Sequence, residues 1–148
     1  MKVYLAAPYQ LQDLIIARAI ELRALGIEVN SRWLEETHKS TTQIKEVLHS
    51  ELQFYALQDV ADISEAHVFV LQPDETETIK RQGRTVELGI AIGIGLSRPL
   101  PIFIVGSGEE NIFHHIPQVY HFPNWVSTKL RLLELACIEK LEKNNGGF

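Results

Sequence analysis

"HVFVLQ", residues 67–72, runs through four consecutive apolar residues, Val68 to Leu71, without polar alternation. A strand with one wet face alternates, whereas one apolar on both sides belongs inside a parallel sheet covered on both faces. "GRTVELGIAIGIG", residues 83–95, follows and predicts a helix whose Gly89, Gly93 and Gly95 permit close packing. The same alternation extends in both directions. "KVYLAA" predicts a first strand at about 2–6, ended by Pro8. From Asp13 the period changes, and Leu14, Ile16, Ala17, Ile20, Leu22 and Leu25 suit an amphipathic helix closing at Gly26. "IEVN" (27–30) predicts a second strand, and a helix follows through about 43–65. "LPIFIVG" (100–106) predicts a fourth strand, "QVYHF" (118–122) a short fifth, and "VSTKLRLLELACIEKLEK" (126–143) a last helix. Strands alternating with helices predict an α/β fold: a single-domain, doubly wound (flavodoxin/Rossmann-like), mostly parallel five-stranded sheet with helices on both faces. The expected domain is 1–148, with residues 144–148 as a frayed tail.

Composition narrows the class. The 148 residues are 45% hydrophobic and 22% charged, ordinary values for a globular protein. The net charge of −5 comes with no basic cluster, which argues against a nucleic-acid partner. The single cysteine, Cys137, excludes an internal disulfide framework and suits a reducing, cytoplasmic setting. Its apolar helical surroundings predict core packing. Residues 86–105 have membrane-spanning length but include Glu87, Arg98, Pro99 and Pro101, so no membrane span is expected.

In open α/β sheets ligands bind outside the carboxyl ends of the strands. Those ends carry "AAPYQ" (6–10), "SRWLEE" (31–36), "QPDETETIKRQGR" (72–84) and "GSGEENIFHH" (106–115). Four loops rich in polar and aromatic groups predict one shared pocket. Glu87, four residues after Gly83, would fall in the first helical turn beside that pocket. It reads either as a partner of the helix dipole or as a nucleophile or base on an otherwise apolar helix. Asp59 and Asp62 lie three apart late in a helix, where the dipole disfavours them; for Asp62 a solvated face is the simpler reading. Tyr4 reads as core, while Tyr9 and Trp33 fall in loops where stacking on a base is possible chemistry. His114 and His115 lack a second ligand set, so no metal is expected. The chain has no GxxxxGK[ST], no GxGxxG after the first strand and no GxSxG.

"VYLAAPY", "DVADISEAHVFV" and "GRTVELGIAIGIG", in this order, resemble the nucleoside 2-deoxyribosyltransferase family, which includes related deoxynucleoside-monophosphate N-glycosidases. The likeness runs from the first strand to about Trp125. It implies Glu87 as the nucleophile at the anomeric carbon. It also implies Asp59 as the residue handling the proton of the departing base, and Tyr4 as the nucleophile's neighbour. Tyr9, Trp33 and Gly83 would line the substrate pocket. Asn111, Phe113 and His114 would reach a neighbouring subunit's site in a homo-oligomer. No cofactor is implied, and the partners are a nucleoside and a free nucleobase. Two departures stand out: His67 replaces an aspartate, and Arg81 stands six residues before Glu87. An arginine there could pair a phosphate. The first loop, however, lacks the serine, glycine and arginine that hold a 5′-phosphate in the monophosphate hydrolases. The resemblance therefore favours nucleoside base exchange, with a nucleoside 5′-monophosphate N-glycosidase as the alternative and a non-catalytic nucleotide-binding module as the third reading.

Overall fold

The computed structural model describes residues 1–36, 49–73, 83–106 and 111–146. Its sheet has the strands β1 (Lys2–Ala6), β2 (Glu28–Val29), β3 (Val68–Leu71), β4 (Ile102–Val105) and β5 (Val119–Phe122) in the order β2-β1-β3-β4-β5. Every pairing is parallel, with Tyr4 opposite Phe69 and Leu71 opposite Ile104. β3 and β4 are buried along their whole length, which explains their unbroken apolar runs. The helices are α1 (Gln12–Ala24), α2 (His49–Glu65), α3 (Gly83–Gly95) and α4 (Trp125–Asn145). The helix expected from residue 43 is described from His49, and its first part lies outside the described residues. The α/β doubly wound class is as the sequence predicted, with all five strands parallel.

Each helix end has a local cause. Gly26, at φ 78°, closes α1, and the Ile27 N–H reaches back to the Leu22 carbonyl at 3.0 Å. The Asn124 side chain caps α4 by accepting from the Ser127 N–H at 2.9 Å. That helix continues through Asn144 and Asn145, where a frayed tail was expected; residues 147 and 148 lie outside the described residues. Glu21 of α1 accepts from the Trp125 indole of α4 at 2.8 Å and also pairs Lys129, so α1 and α4 share one face. The Arg18 guanidinium lies 4.7 Å from the centre of the Trp125 ring. Right-handed crossovers place α2 and α3 on the other face.

Strand β2 is only two residues long, yet the outer edge of β1 is not left bare. The Leu5 N–H donates to Ser31 Oγ at 2.6 Å, and the Leu5 carbonyl accepts the Trp33 indole N–H at 2.7 Å. Side chains after β2 thus extend the ladder that its backbone abandons. This fixes the segment 31–36 over the carboxyl end of β1. Gln12 holds the same segment from α1, its side-chain amide lying 3.0–3.3 Å from the carbonyls of Trp33, Leu34 and Glu36.

Several expectations need correction. Cys137 is exposed rather than core, because α4 turns Leu132 and Ala136 inward instead. Gly89 and Gly93 do not seat α3 closely: both are exposed, and a Cβ on either would meet open space. Only Gly95, where a Cβ would meet the Gln118 side chain, is tightly neighboured. Asp62 is not solvated. It is buried and accepts the Arg32 backbone N–H at 3.0 Å and its Nε at 2.8 Å. His67 accepts the Lys2 N–H through Nδ1 at 2.8 Å, tying the starts of β1 and β3. No helix among the described residues is long and apolar enough to cross a membrane.

Candidate active site

The sheet order reverses direction between β1 and β3, and crevices at such switch points take ligands. A pocket opens there, lined by Ala7, Pro8, Tyr9, Trp33, Asp59, Gly83, Arg84 and Glu87, and encloses about 500 Å³ including its open mouth. Its mix of aromatic, apolar and ionisable lining is that of a small-molecule site. Ala7 and Pro8 follow β1, where proline forces the chain out of the sheet into a 3-10 turn, Tyr9–Leu11. Trp33 lies in a second such turn, Arg32–Glu35, held by its indole bond to Leu5 and by Arg32's pairing with Asp62.

Glu87 is the fifth residue of α3, so it opens the second turn, not the first. The dipole reading weakens accordingly, since the effect fades beyond the first turn. The Glu87 carboxylate instead accepts a 2.7 Å hydrogen bond from the Tyr4 hydroxyl. Tyr4 is fully buried and stacks on Phe69 with ring centres 5.6 Å apart. Tyr4 is thus both core and neighbour of Glu87: its ring is buried, and its hydroxyl reaches the carboxylate that lines the pocket.

Asp59 comes from α2 and faces the same pocket. Its Oδ1 is buried with no hydrogen-bond partner among the described residues. Burial first, then the charges of Glu87 and Glu36, push its carboxyl up to about 8, with the Tyr4 hydroxyl pulling the other way. Burial raises Glu87 to about 7; the Tyr4 hydrogen bond opposes the rise and the Glu36 charge adds to it. Tyr4 itself is raised well above its usual value, by burial and then by Glu87. Two carboxyl groups with different proton affinities in one pocket can take opposite roles, one ionised and one protonated.

Tyr9 stands edge-on to Trp33, with ring centres 5.6 Å apart and planes at 87°. Its hydroxyl donates to Glu36 Oε2. Burial, then that hydrogen bond, raises the Tyr9 hydroxyl.

Of the residues singled out from sequence, Tyr4, Tyr9, Trp33, Asp59, Gly83 and Glu87 converge here. Asn111, Phe113 and His114 do not line this pocket. Asn111 caps the turn Ile112–His115 by accepting from the Phe113 N–H at 2.9 Å, its amide nitrogen lies 3.1 Å from His114 Nε2, and Phe113 is exposed. Arg81 lies outside the described residues. Among the described residues no cluster of histidine, cysteine or carboxylate side chains could hold a metal ion. Two participants escaped sequence reading, Arg84 and Glu36. Arg84 stands three residues before Glu87, so it shares that helix face. Glu36 is the second of two glutamates; the first is exposed and the second buried, a distinction only the fold makes.

No family model matches the sequence, and no curated protein matches it at a significant level. Solved structures do. A 2-deoxyribosyltransferase from the psychrotolerant bacterium Bacillus psychrosaccharolyticus is similar at a TM-score of 0.62 and 21% identity, over 90% of this chain and 96% of that one. The Clostridium botulinum CMP N-glycosidase BcmB is similar at 0.55 and 18% identity, over 89% and 98%. At these identities the likeness is one of architecture: the chain carries the doubly wound fold shared with a 2-deoxyribosyltransferase and a CMP N-glycosidase.

Proposed function

We propose that this chain is an N-glycosyl transfer enzyme of the nucleoside 2-deoxyribosyltransferase type, exchanging the base of a (2′-deoxy)ribonucleoside. The observation that carries the reading is the Tyr4–Glu87 hydrogen bond in a pocket that Asp59 also lines. An ionised Glu87 attacks the anomeric carbon, and the bond to the base nitrogen breaks as Asp59 delivers a proton to that nitrogen. The sugar is then held as an ester of Glu87, one hard displacement having become two easier ones. A second base reverses the steps, returning its proton to Asp59 and freeing Glu87. Near neutral pH a carboxyl titrating at about 7 and another at about 8 populate this combination of states. Tyr9 and Trp33 form the wall against which the base stacks. The turn Ile112–His115 would complete the site of a neighbouring subunit through Asn111, Phe113 and His114.

A second reading is hydrolysis of a nucleoside 5′-monophosphate, favoured by Arg84 in the pocket and by the fold shared with a CMP N-glycosidase. One assay separates the readings. The protein is incubated with deoxyinosine plus adenine, and in parallel with deoxynucleoside and ribonucleoside monophosphates. Deoxyadenosine formation supports exchange. Free base with sugar phosphate supports the hydrolase, and silence in every tube supports a non-catalytic binding module.

A further inference from the structure

Three acidic side chains act electrostatically on Tyr9, not two. Glu36 arrives from the segment after β2, Asp59 from α2 and Glu87 from α3. Glu36 is 7% exposed, and its Oε2 accepts the Tyr9 hydroxyl. Its backbone carbonyl is held at 3.0 Å by the buried Gln12 amide, so its place is set from α1 as well. It does not line the pocket, but the tyrosine bonded to it does. A buried carboxylate is costly to keep unless it is hydrogen-bonded or paired, and the Tyr9 hydroxyl holds this one behind the pocket wall.

We propose, resting on the reading of Glu87 and Asp59 as the reacting pair, that Glu36 is a positioning residue whose negative charge, held behind Tyr9, sets the pH at which that pair works. The groups it acts on or is held by are Tyr9 from its turn, Gln12 from α1, Asp59 from α2 and Glu87 from α3. Asp62, one helical turn beyond Asp59, is paired with Arg32 of the same segment as Glu36. Glu36 stabilises the protonated forms of both reacting carboxyls, so Asp59 retains the proton it must donate while the Tyr4 hydrogen bond keeps Glu87 the more readily ionised. The direction of its effect on each agrees: the Glu36 charge raises Asp59 and raises Glu87.

Three variants of the full chain test this. Glu36→Gln keeps an oxygen to accept the Tyr9 hydroxyl and removes the charge. Tyr9→Phe keeps the charge and removes the hydrogen bond. Glu36→Asp keeps the charge on a shorter stem. Carboxyl carbon NMR from pH 4 to 10, without substrate, reads the midpoints of Asp59 and Glu87. The pH profile of kcat/KM for base exchange reads their consequence. In Glu36→Gln both midpoints, and both limbs of the profile, move to lower pH by about half a unit or more. In Tyr9→Phe and Glu36→Asp the midpoints stay near wild type, and changes fall on KM. Unmoved midpoints in Glu36→Gln overturn the proposal, as does an equal shift in Glu36→Asp or Tyr9→Phe. If no nucleoside or nucleotide is turned over, the reading of the reaction fails, while the substrate-free midpoints still decide the role of Glu36.

Discussion

Replacing Asp59 by asparagine should stabilise the fold while disabling the chemistry, and the stabilisation should grow with pH. The native carboxyl titrates near 8, against 3.8 for the ordinary group. Its raised value means that the native state holds a proton the unfolded chain has already released. Stability is therefore fully present below about pH 4 and is lost as pH rises toward 8, at about 1.4 kcal/mol per pH unit. Asparagine carries no such loss. Between pH 5 and 8 the variant should gain on wild type by on the order of 4 kcal/mol, less what solvent at the pocket mouth screens, and the gap should then level off. Glu87 imposes a similar trend on both proteins, and what remains in the comparison is its coupling to Asp59, which belongs to the gap. Urea unfolding at one-unit pH steps from 5 to 9, followed by the fluorescence of Trp33 and Trp125, measures the gap directly. In thermal melts it corresponds to about 10 °C for a chain of this size. Turnover should fall by about 10²–10⁴-fold through loss of the proton donor. A gap constant to within about 0.5 kcal/mol from pH 5 to 8 would refute the claim that Asp59 is kept protonated by its surroundings.

Glu87→Ala should abolish base exchange while the fold is retained, and a 1:1 sugar adduct expected by mass spectrometry for wild type should be missing from the variant; exchange at the wild-type rate would remove Glu87 from the reaction. Tyr4→Phe deletes the hydrogen bond that lowers Glu87, so the acid limb of the kcat/KM profile should move above pH 7, opposite in sign to the shift expected for Glu36→Gln. Asp62→Ala should cost about 1–3 kcal/mol in denaturant unfolding by stranding the Arg32 backbone N–H and the guanidinium, with the titration of Glu87 unchanged. Gly26→Ala forces a side chain into φ 78° and should cost about 1 kcal/mol without changing turnover.

Much of this was legible in the sequence because the signals were local. Val68–Leu71 and Ile102–Val105 could be read as buried parallel strands since they lack any polar alternation, and Gly26 marked a helix end by its backbone freedom. Glu87 and Asp59 were legible through their motifs and through the rule that places loops at strand carboxyl ends. What escaped depended on tertiary facing. Glu35 and Glu36 are chemically identical neighbours, and only the fold buries the second beneath Tyr9. Asp62 looked solvated because its partner, Arg32, lies thirty residues away on another element. Gly89 and Gly93 looked like packing glycines because the apolar pattern of α3 does not reveal which side the sheet occupies. Cys137 was misjudged for the same reason on α4.

The grip of Gln12 on three carbonyls has an evolutionary consequence. The segment carrying Trp33 and Glu36 is pegged from the helix on one face of the sheet, while Glu87 and Asp59 sit on helices of the other. The segment is thus pegged from both faces, by Gln12 of α1 at its carbonyls and by Asp62 of α2 at Arg32, and Trp33 is held apart from the helices that carry the two acids. On the proposed reading, Trp33 and Leu34 can be rewritten with the acids across the sheet left in place, provided the Gln12 peg and the Glu36 carboxylate remain. A lineage built this way would change which base it accepts in a few substitutions while Glu87 and Asp59 stay constant.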